Sequence, residues 1–293
     1  MNSNSSQTVL ALGYFDGIHL GHRAIIDETI RLAKRLNATP GVVTFADDFL
    51  SSTKSDANVI YTLSERMTIF RELGISYFAE HNDLEAILHI SPIDFINHLV
   101  DRFDAIAFVC GSDHRFGKNR SGNANLIAEY CKTNSLDCTI LGEIRSQSCD
   151  KISSSSIRKL ISKGKIQLAN EYLVRPFSIT GTVVHGFCRG RTIGFPTANI
   201  TVNPQKILPL TGVYATTTMI ANTLYKSITN IGTAPTFDDS KNVTIETHLL
   251  GFSGDLYDKS ITVSFVRRIR DIIKFESIDE LKKQLEKDGT THD

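Results

Sequence analysis

Residues 9–35 decide the fold of the first half of this chain, and they read VLALGYFDGIHLGHRAIIDETIRLAKR. The apolar run over residues 9–13 ends in glycine, which predicts a buried strand that enters a turn. A helix is predicted over residues 24–35, because isoleucine and leucine recur there at helical spacing. The turn between them follows the carboxyl end of the strand, which is where open parallel sheets bind their ligands.

The same alternation of strand and helix continues beyond this stretch. Further strands are predicted over residues 42–45, 77–79, 105–110 and 139–141, and further helices over residues 63–73, 93–103 and 125–133. Alternation of this kind predicts a mostly parallel sheet with helices on both faces, as in a Rossmann-like α/β domain.

The second half has a different texture, rich in Thr, Val and Ile with Gly, Pro, Asn and Asp between the apolar segments. Strands are predicted over residues 178–184, 213–219, 225–230, 243–249 and 260–265, followed by a helix over residues 277–287. The pattern is typical of a small antiparallel β-barrel with a terminal helix. We place the joint near Arg175-Pro176, with predicted domains over residues 1–174 and 177–289.

Composition excludes several classes of protein. Lys and Arg balance Asp and Glu at a formal net charge of zero, and neither half is basic, so a nucleic-acid platform that binds through bulk charge is not expected. Hydrophobic residues make up 41% of the chain, enough for two cores. No apolar run is long enough for a membrane span, and the start of the chain does not look like a secretory signal. The five cysteines lack C-x-x-C spacing, so we expect reduced thiols and a cytoplasmic protein.

The turn between the first strand and helix holds the first candidate site. A helix N-terminus with unpaired N–H groups suits a phosphate, and Gly13, Gly17 and Gly21 allow tight turns and close approach. His19 and His22 lie three residues apart at the helix start and can face one phosphate during nucleotidyl transfer. A plain turn is the simpler alternative, and metal binding by the pair lacks a third ligand nearby.

Two later segments are consistent with that site. Residues 111–117 read GSDHRFG and follow another predicted strand, so their loop would lie at the same edge of the sheet. Residues 151–158 read KISSSSIR and open a helix. Serine hydroxyls, first-turn N–H groups, Lys151 and Arg158 together would make a polyphosphate cradle, although serine is also an ordinary helix cap.

Together these three motifs resemble those of bifunctional riboflavin kinase/FMN adenylyltransferases, also called FAD synthetases. Residues 13–22 are similar to G-x-F-D-G-x-H-x-G-H, residues 111–117 to G-x-D-F-x-F-G, and residues 152–158 to I-S-S-T-x-x-R. The resemblance implies catalytic roles for His19, His22 and Arg158. It implies ATP binding by Phe15, Asp16, Gly17, Gly21, Lys151, Ser153, Ser154 and Ser155, and flavin binding by Asp113, Arg115 and Phe116.

This sequence departs from the family pattern at a few positions. His114 stands where the family usually has Phe, and Ser155 where it usually has Thr. Residues Asp47 and Asp48 follow a predicted strand where the family commonly continues with Pro-His-Pro. These departures bear on the efficiency of adenylyl transfer or on flavin placement.

A second candidate site opens the β half. Residues 181–191 read GTVVHGFCRGR, and the N–H groups of a loop with Gly186, Gly190 and Arg191 can face phosphate. Thr197 and Asn199, in the segment GFPTAN, offer neutral oxygen ligands that suit Mg²⁺ carrying ATP oxygens. Without the resemblance, a turn between strands would explain the same residues.

Glu246 lies in an alternating segment, residues 244–250, and could accept a proton from an attacking alcohol. Spacing alone does not separate this role from an outward-facing carboxylate. The resemblance does, because this segment, the P-T-A-N element and residues 269–275 look like the riboflavin kinase module. It implies that Glu246 is the base, that Thr197 and Asn199 bind Mg-ATP, and that Arg270 helps to close over the flavin.

The resemblance therefore implies FAD synthesis, in which riboflavin is phosphorylated to FMN and FMN is adenylylated to FAD. Its implied partners are riboflavin, FMN, ATP and FAD, with Mg²⁺ as cofactor and flavoproteins as downstream users, without nucleic acid or membrane. The alternative is a riboflavin kinase whose adenylyltransferase domain is impaired or regulatory. A flavin- or nucleotide-sensing protein with an RNA-binding barrel is disfavoured, because a binder has no use for Glu246.

Overall fold

The structure is a computed structural model that describes residues 7–47, 58–81, 89–145, 151–185, 195–233 and 243–290. Contacts within the chain divide it into two compact units, residues 1–154 and 155–293. The fold class predicted above is confirmed, because the first unit is built on a parallel sheet and the second on a closed antiparallel barrel.

The first unit holds a five-stranded parallel sheet in the order β3-β2-β1-β4-β7. Its strands, with a two-stranded ribbon inserted after β4, are β1 (Thr8–Leu12), β2 (Thr39–Phe45), β3 (Tyr77–His81), β4 (Ala105–Gly111), β5 (Arg115–Phe116), β6 (Gly122–Asn123) and β7 (Asp137–Leu141). Strand β1 is fully buried between β2 and β4. The loop after β1 therefore leaves the middle of the sheet, at the edge where the carboxyl ends of the strands meet.

In the described part of this unit, four α-helices pack around the sheet, and polar residues cap their ends. They are α1 (Leu20–Leu36), α2 (Leu63–Glu72), α3 (Pro92–Phe103) and α4 (Ala124–Thr133). Thr62 and Glu65 form a complete capping box at the start of α2. Helix α1 ends where Asn37 adopts a left-handed conformation at φ 54°. Three helices begin and end within one residue of their predicted bounds, whereas α1 begins at Leu20, before the predicted residue 24, because His19 caps it.

The second unit is a closed barrel in the strand order β10-β11-β12-β9-β8-β13. The strands are β8 (Ser178–Val184), β9 (Ala198–Thr201), β10 (Gly212–Ile220), β11 (Thr223–Thr233), β12 (Val243–Leu249) and β13 (Ser260–Arg270). Sequence reasoning missed β9, because its residues were interpreted only as a binding motif.

Buried hydroxyl groups connect three neighbouring barrel strands. Thr216 Oγ1 lies 2.8 Å from both Ser227 Oγ and Thr229 Oγ1, and Thr229 Oγ1 lies 3.0 Å from Thr247 Oγ1. These four residues have no exposed surface. Because each hydroxyl has a partner, threonine-rich strands can be buried here without leaving polar groups unsatisfied.

The helices described in the second unit are α5 (Ser154–Ser162), which begins at the boundary between the units, α6 (Ile166–Tyr172) and α7 (Ile278–Thr290). Asn170 on α6 donates from Nδ2 to the Phe265 carbonyl at 2.9 Å and accepts from the Phe177 N–H at 2.8 Å. Helices α5 and α6 therefore belong to the same unit as the barrel. The predicted joint at Arg175-Pro176 lies after both helices, because it was based on the change in composition. The start of the kinase domain at residue 177 stays a prediction.

Cys110, Cys131 and Cys138 are free thiols, and Cys149 and Cys188 lie outside the described residues. Within the part of the chain that the structure describes, no helix is both long and apolar enough to cross a membrane.

Candidate active sites

The loop between β1 and α1 rests on two buried side chains. Phe15 has no exposed surface, and its ring meets the rings of Phe70 and His22 edge-on at 5.7 and 5.1 Å. Asp16 is 1% exposed and accepts the Ile60 N–H at 2.7 Å through Oδ1. Both were predicted to bind ATP. Their side chains pack within the protein, and their contact with ATP stays a prediction.

His19 and His22 lie together at the start of α1, as predicted. The two rings stack with centroids 3.7 Å apart and planes 17° apart. His19 caps the helix, since its Nδ1 accepts the backbone N–H of His22 at 3.4 Å. A Cβ on Gly21 would lie 3.0 Å from His19 Cε1, so glycine leaves room for this ring. Because Nδ1 is an acceptor, the proton of a neutral His19 lies on Nε2.

Both rings are neutral at neutral pH. Burial, followed by opposing effects of Asp113 and Lys151, lowers the pKa of His19 to about 4. Burial, His19 and Arg66 lower the pKa of His22 well below its ordinary value. The histidines therefore offer N–H donors to a phosphate, and the positive charge at this site comes from other residues.

These rings line a pocket of about 760 Å³ at the carboxyl edge of the sheet. Of the residues predicted for this site, the lining includes His19, Gly21, His22, Asp113, Arg115, Phe116, Lys151 and Ser153. The lining also includes Lys118 and Arg120, which follow the loop of residues 111–117, and the aromatic Tyr14, Phe45 and Phe95, to which sequence reasoning assigned no role. The lining thus joins flat apolar surfaces with cations, a combination that suits a ligand with rings and phosphates.

Lys151 lies between two carboxylates in this pocket. Its Nζ is 2.8 Å from Asp113 Oδ2 and 2.6 Å from Glu143 Oε1. The hydrogen bond that Lys151 donates to Asp113 lowers the pKa of that carboxyl group, and the bonds that Lys151 donates to Asp113 and Glu143 raise the pKa of its own ammonium group. Lys151 is therefore a fixed cation at neutral pH, and Glu143 is a partner that no motif indicated.

Ser154, Ser155 and Arg158 lie in the first turns of α5, as the sequence predicted for a helix start. Arg158 Nη2 lies 3.4 Å from Ser155 Oγ.

His114 stacks on Phe116 with ring centroids 5.5 Å apart and lines the 760 Å³ pocket. It thus provides a flat ring where the family usually has Phe, while Asp48 lies outside the described residues.

The second site lies on the barrel, where β9 and β12 pair. Glu246 stands directly opposite Asn199 on β9 and opposite Asn230 on β11. All three are partly buried. The structure thus brings together Glu246 and Asn199, which the sequence assigned to one reaction from separate segments.

His248 anchors the segment that precedes β9. Its Nδ1 lies 2.8 Å from the Pro196 carbonyl oxygen, and its ring meets that of Phe195 at 5.2 Å. Thr197 and Asn199 line an adjoining pocket of about 600 Å³, with Phe252 and Tyr257 among its apolar walls. The oxygens of Thr197 and Asn199 are hard ligands of the kind that Mg²⁺ prefers.

The remaining residues predicted for this site are Gly186, Gly190 and Arg191, which follow β8 along the chain, and Arg270 on β13. Gly186, Gly190 and Arg191 lie outside the described residues. Arg270 donates from Nη2 to Asp288 Oδ2 at 2.7 Å, and Asp288 is 1% exposed. The guanidinium thus ties β13 to α7, and its predicted contact with flavin stays a prediction.

Comparisons with known proteins match both halves of the chain. A family model described as FAD synthetase matches residues 1–156, and one described as riboflavin kinase matches residues 173–292. The bifunctional riboflavin kinase/FMN adenylyltransferase of Bacillus subtilis is 35% identical over 98% of this chain and 92% of its own length. Its counterpart in Escherichia coli K12 is 32% identical over 97% of this chain and 91% of its own length.

A solved structure is similar along the whole chain. The crystal structure of a protein named macrolide-efflux protein, from Streptococcus pneumoniae, is 29% identical with a TM-score of 0.86 and covers 98% of this chain and 94% of its own. The curated relatives span nearly the whole chain, and a separate family model matches each half. On this evidence, the chain belongs to the family of bifunctional riboflavin kinase/FMN adenylyltransferases.

Proposed function

We propose that this chain makes FAD from riboflavin in two ATP-dependent steps, one at each of the sites described above. The barrel unit phosphorylates riboflavin to FMN, and the α/β unit joins FMN to the AMP part of a second ATP. The observation that carries the residue assignment is the pairing of Glu246 with Asn199 across β12 and β9. This pairing supports a base beside an oxygen ligand, and Asn199 also lines the adjoining pocket of about 600 Å³, which is large enough for a nucleotide.

In the kinase step, Glu246 takes the proton of the riboflavin 5′-hydroxyl as its oxygen attacks the γ-phosphorus, and ADP leaves. Thr197 and Asn199 would hold Mg²⁺, which when bound offsets charge on the β- and γ-oxygens. His248 keeps Pro196, and with it the Thr197 segment, in register with β12. Glu246 precedes Thr247, whose buried hydroxyl lies 3.0 Å from that of Thr229 and so ties β12 to β11 beside the proposed base.

In the adenylyl step, a phosphate oxygen of FMN attacks the α-phosphorus of ATP, and pyrophosphate leaves. A phosphate is already ionised at neutral pH, so this step needs no base. His19 and His22 donate N–H bonds to the phosphate oxygens, and Lys151 offsets their charge. The catalytic role of Arg158 stays a prediction. Asp113, Arg115, Phe116 and His114 line the side of the pocket where we expect the flavin.

The finer biological setting is part of the same proposal. We infer a cytoplasmic enzyme, because both steps consume ATP and the described cysteines are free thiols. Its product would be handed on to flavoproteins. We expect neither a nucleic acid nor a membrane as partner, since the net charge is zero.

Product analysis tests the proposal. The full chain is incubated with riboflavin, ATP and Mg²⁺, and flavins are separated by chromatography. We expect FMN to appear first and FAD to follow. FMN without FAD, even when FMN is supplied, would instead support a kinase with an impaired or regulatory adenylyltransferase domain. Neither product from a folded protein would overturn both assignments.

A further inference from the structure

Arg66 on α2 has no exposed surface, although arginine is rarely buried unless its donors are paired. Its Nη1 donates to the Tyr14 carbonyl at 3.0 Å and to Thr44 Oγ1 at 2.6 Å. Its Nη2 donates to the Phe45 carbonyl and to Asp47 Oδ1, both at 2.8 Å. One guanidinium therefore binds the end of β2 and the loop after β1 together.

The loop that Arg66 holds is the one that carries the histidine pair. Tyr14 lines the 760 Å³ pocket, and its carbonyl oxygen also accepts a hydrogen bond from the Thr44 hydroxyl at 2.8 Å. Arg66 Cζ lies 4.9 Å from the centre of the Tyr14 ring, within the range of a cation–π contact. The guanidinium thus fixes both the backbone and the ring of this residue.

Asp47 supplies the anion that a buried guanidinium needs. Its Oδ1 pairs with Arg66, and its Oδ2 accepts the Leu63 N–H at 2.9 Å at the start of α2. Asp47 stands where the family commonly continues with Pro-His-Pro. Removing one partner of such a buried pair leaves an uncompensated charge and is strongly destabilising, so the guanidinium and the carboxylate act together.

Arg66 also acts on His22 through its charge. Burial, the neighbouring His19 and the Arg66 cation, in that order, lower the pKa of His22. Asp113 and Lys151 act on the adjacent His19 with opposite signs. Phe15, the other ring against His22, carries no charge. Arg66 is therefore the cation on α2 that favours the neutral form of His22.

We propose that Arg66, anchored by Asp47, is a positioning residue for adenylyl transfer: through Tyr14 it holds the loop from β1 to α1 so that His19 and His22 face the phosphates. It acts through the loop, since it is not part of the pocket lining. The inference rests on the proposed adenylyltransferase function. It adds to that function a residue that no motif contains.

The test compares two substitutions with a matched control. Arg66→Lys keeps the positive charge but removes the planar guanidinium that donates to four acceptors. Arg66→Gln removes both the charge and the guanidinium. Arg71→Gln changes an exposed arginine on the same helix, whose guanidinium lies over Phe78. Each full-length variant is assayed for FAD formation from FMN and for FMN formation from riboflavin. A melting curve and titration of the His22 ring protons by NMR accompany the assays.

We expect both Arg66 variants to lower kcat for FAD formation by about 10–100-fold, as for a misplaced catalytic group. FMN formation by both Arg66 variants should stay within about twofold of wild type, and so should both reactions of the Arg71→Gln control. Arg66→Gln should also raise the pKa of His22, whereas Arg66→Lys should leave it close to wild type. If Arg66→Gln does not fold, Arg66→Lys decides through kcat alone.

Two results would overturn the inference. One is wild-type kcat for FAD formation in a folded Arg66→Lys or Arg66→Gln protein. The other is an equal loss of FMN and FAD formation, which would indicate a general effect on folding. Absence of FAD formation in the wild-type chain is a different failure, because it removes the proposed adenylyltransferase function before any variant is made.

Discussion

The two units transfer phosphorus groups from ATP to oxygen nucleophiles with different residues, and the acidity of the nucleophile explains the difference. In the α/β unit the nucleophile is a phosphate, so we propose that two neutral histidines and nearby cations suffice. In the barrel unit it is an alcohol, which needs a base, and Glu246 is the residue that we propose for this role. On this proposal, buried and uncharged donors serve an ionised nucleophile, whereas a partly exposed carboxylate serves a neutral one.

The largest expected effect is that of Glu246→Gln on the kinase step. The substitution keeps the size and strand fit but removes the base, so FMN formation should fall roughly 10²–10⁴-fold. FAD formation from supplied FMN should stay near wild type. The two reactions are measured separately by chromatography. Glu286→Gln, on the exposed face of α7, is the matched control, and a similar loss in that control would contradict the assignment.

His22→Ala tests the other side of the comparison. Loss of a preorganised donor from the phosphate site should lower FAD formation about 10²–10³-fold while FMN still accumulates. A melting curve must show a folded protein, because the His22 ring packs on Phe15 and His19. If a folded variant makes FAD at the wild-type rate, the histidine motif is a turn and nothing more.

The pH dependence of stability should also separate the two units. The pKa of His19 is about 4 in the folded chain, against 6.5 for an ordinary histidine, so the unfolded chain takes up its proton first as the pH falls. The contribution of His19 to the free energy of unfolding of the first unit is therefore fully present above about pH 6.5, and it is lost as the pH falls toward 4. At about 1.4 kcal/mol per pH unit, His19 alone accounts for up to about 3 kcal/mol.

Urea unfolding at several pH values, followed by hydrogen exchange of peptides from each unit, checks this expectation. The first unit should lose stability across that window, and His19→Gln should flatten the loss. An unchanged slope in His19→Gln would mean that other groups set the acid sensitivity of this unit.

Much of this arrangement was predictable from the sequence, and the exceptions have a common cause. Local signals predicted the caps of the helices, the strands of the sheet and the histidine pair, because each depends on neighbours along the chain. Sequence reasoning did not foresee that Arg66 binds Tyr14 or that Arg270 binds Asp288. Those partners come together only through tertiary packing, which no local pattern records.

Burial was equally hard to foresee. Phe15 and Asp16 belong to a motif that was interpreted as a ligand site, yet their side chains lie inside the protein. The motif signals the loop as a whole, and it does not separate the residues that touch the ligand from those that support them. Helix α6 was missed for a similar reason, because its seven residues are stabilised by contacts with the barrel.

The smallest expected effect concerns where the kinase domain begins. The composition change predicts that a fragment starting at Pro176 folds and makes FMN. The structure adds that Asn170 on α6 donates to the Phe265 carbonyl and accepts the Phe177 N–H. A fragment of residues 155–293 keeps these bonds, so it should be more stable than the shorter one by about 1–3 kcal/mol, the cost of leaving buried partners unsatisfied.

Urea unfolding of both fragments measures that difference, and riboflavin phosphorylation measures their function. Asn170→Ala in the longer fragment is the matched variant, because it removes the two bonds and leaves α5 and the rest of α6 in place. We expect it to lose most of the difference between the fragments and to keep kinase activity within about twofold. Equal stability of all three proteins would mean that α6 contributes nothing to the barrel. FMN formation by the longer fragment alone would move the start of the kinase domain to the N-terminal side of residue 176, because helices α5 and α6 would then be part of the working fold.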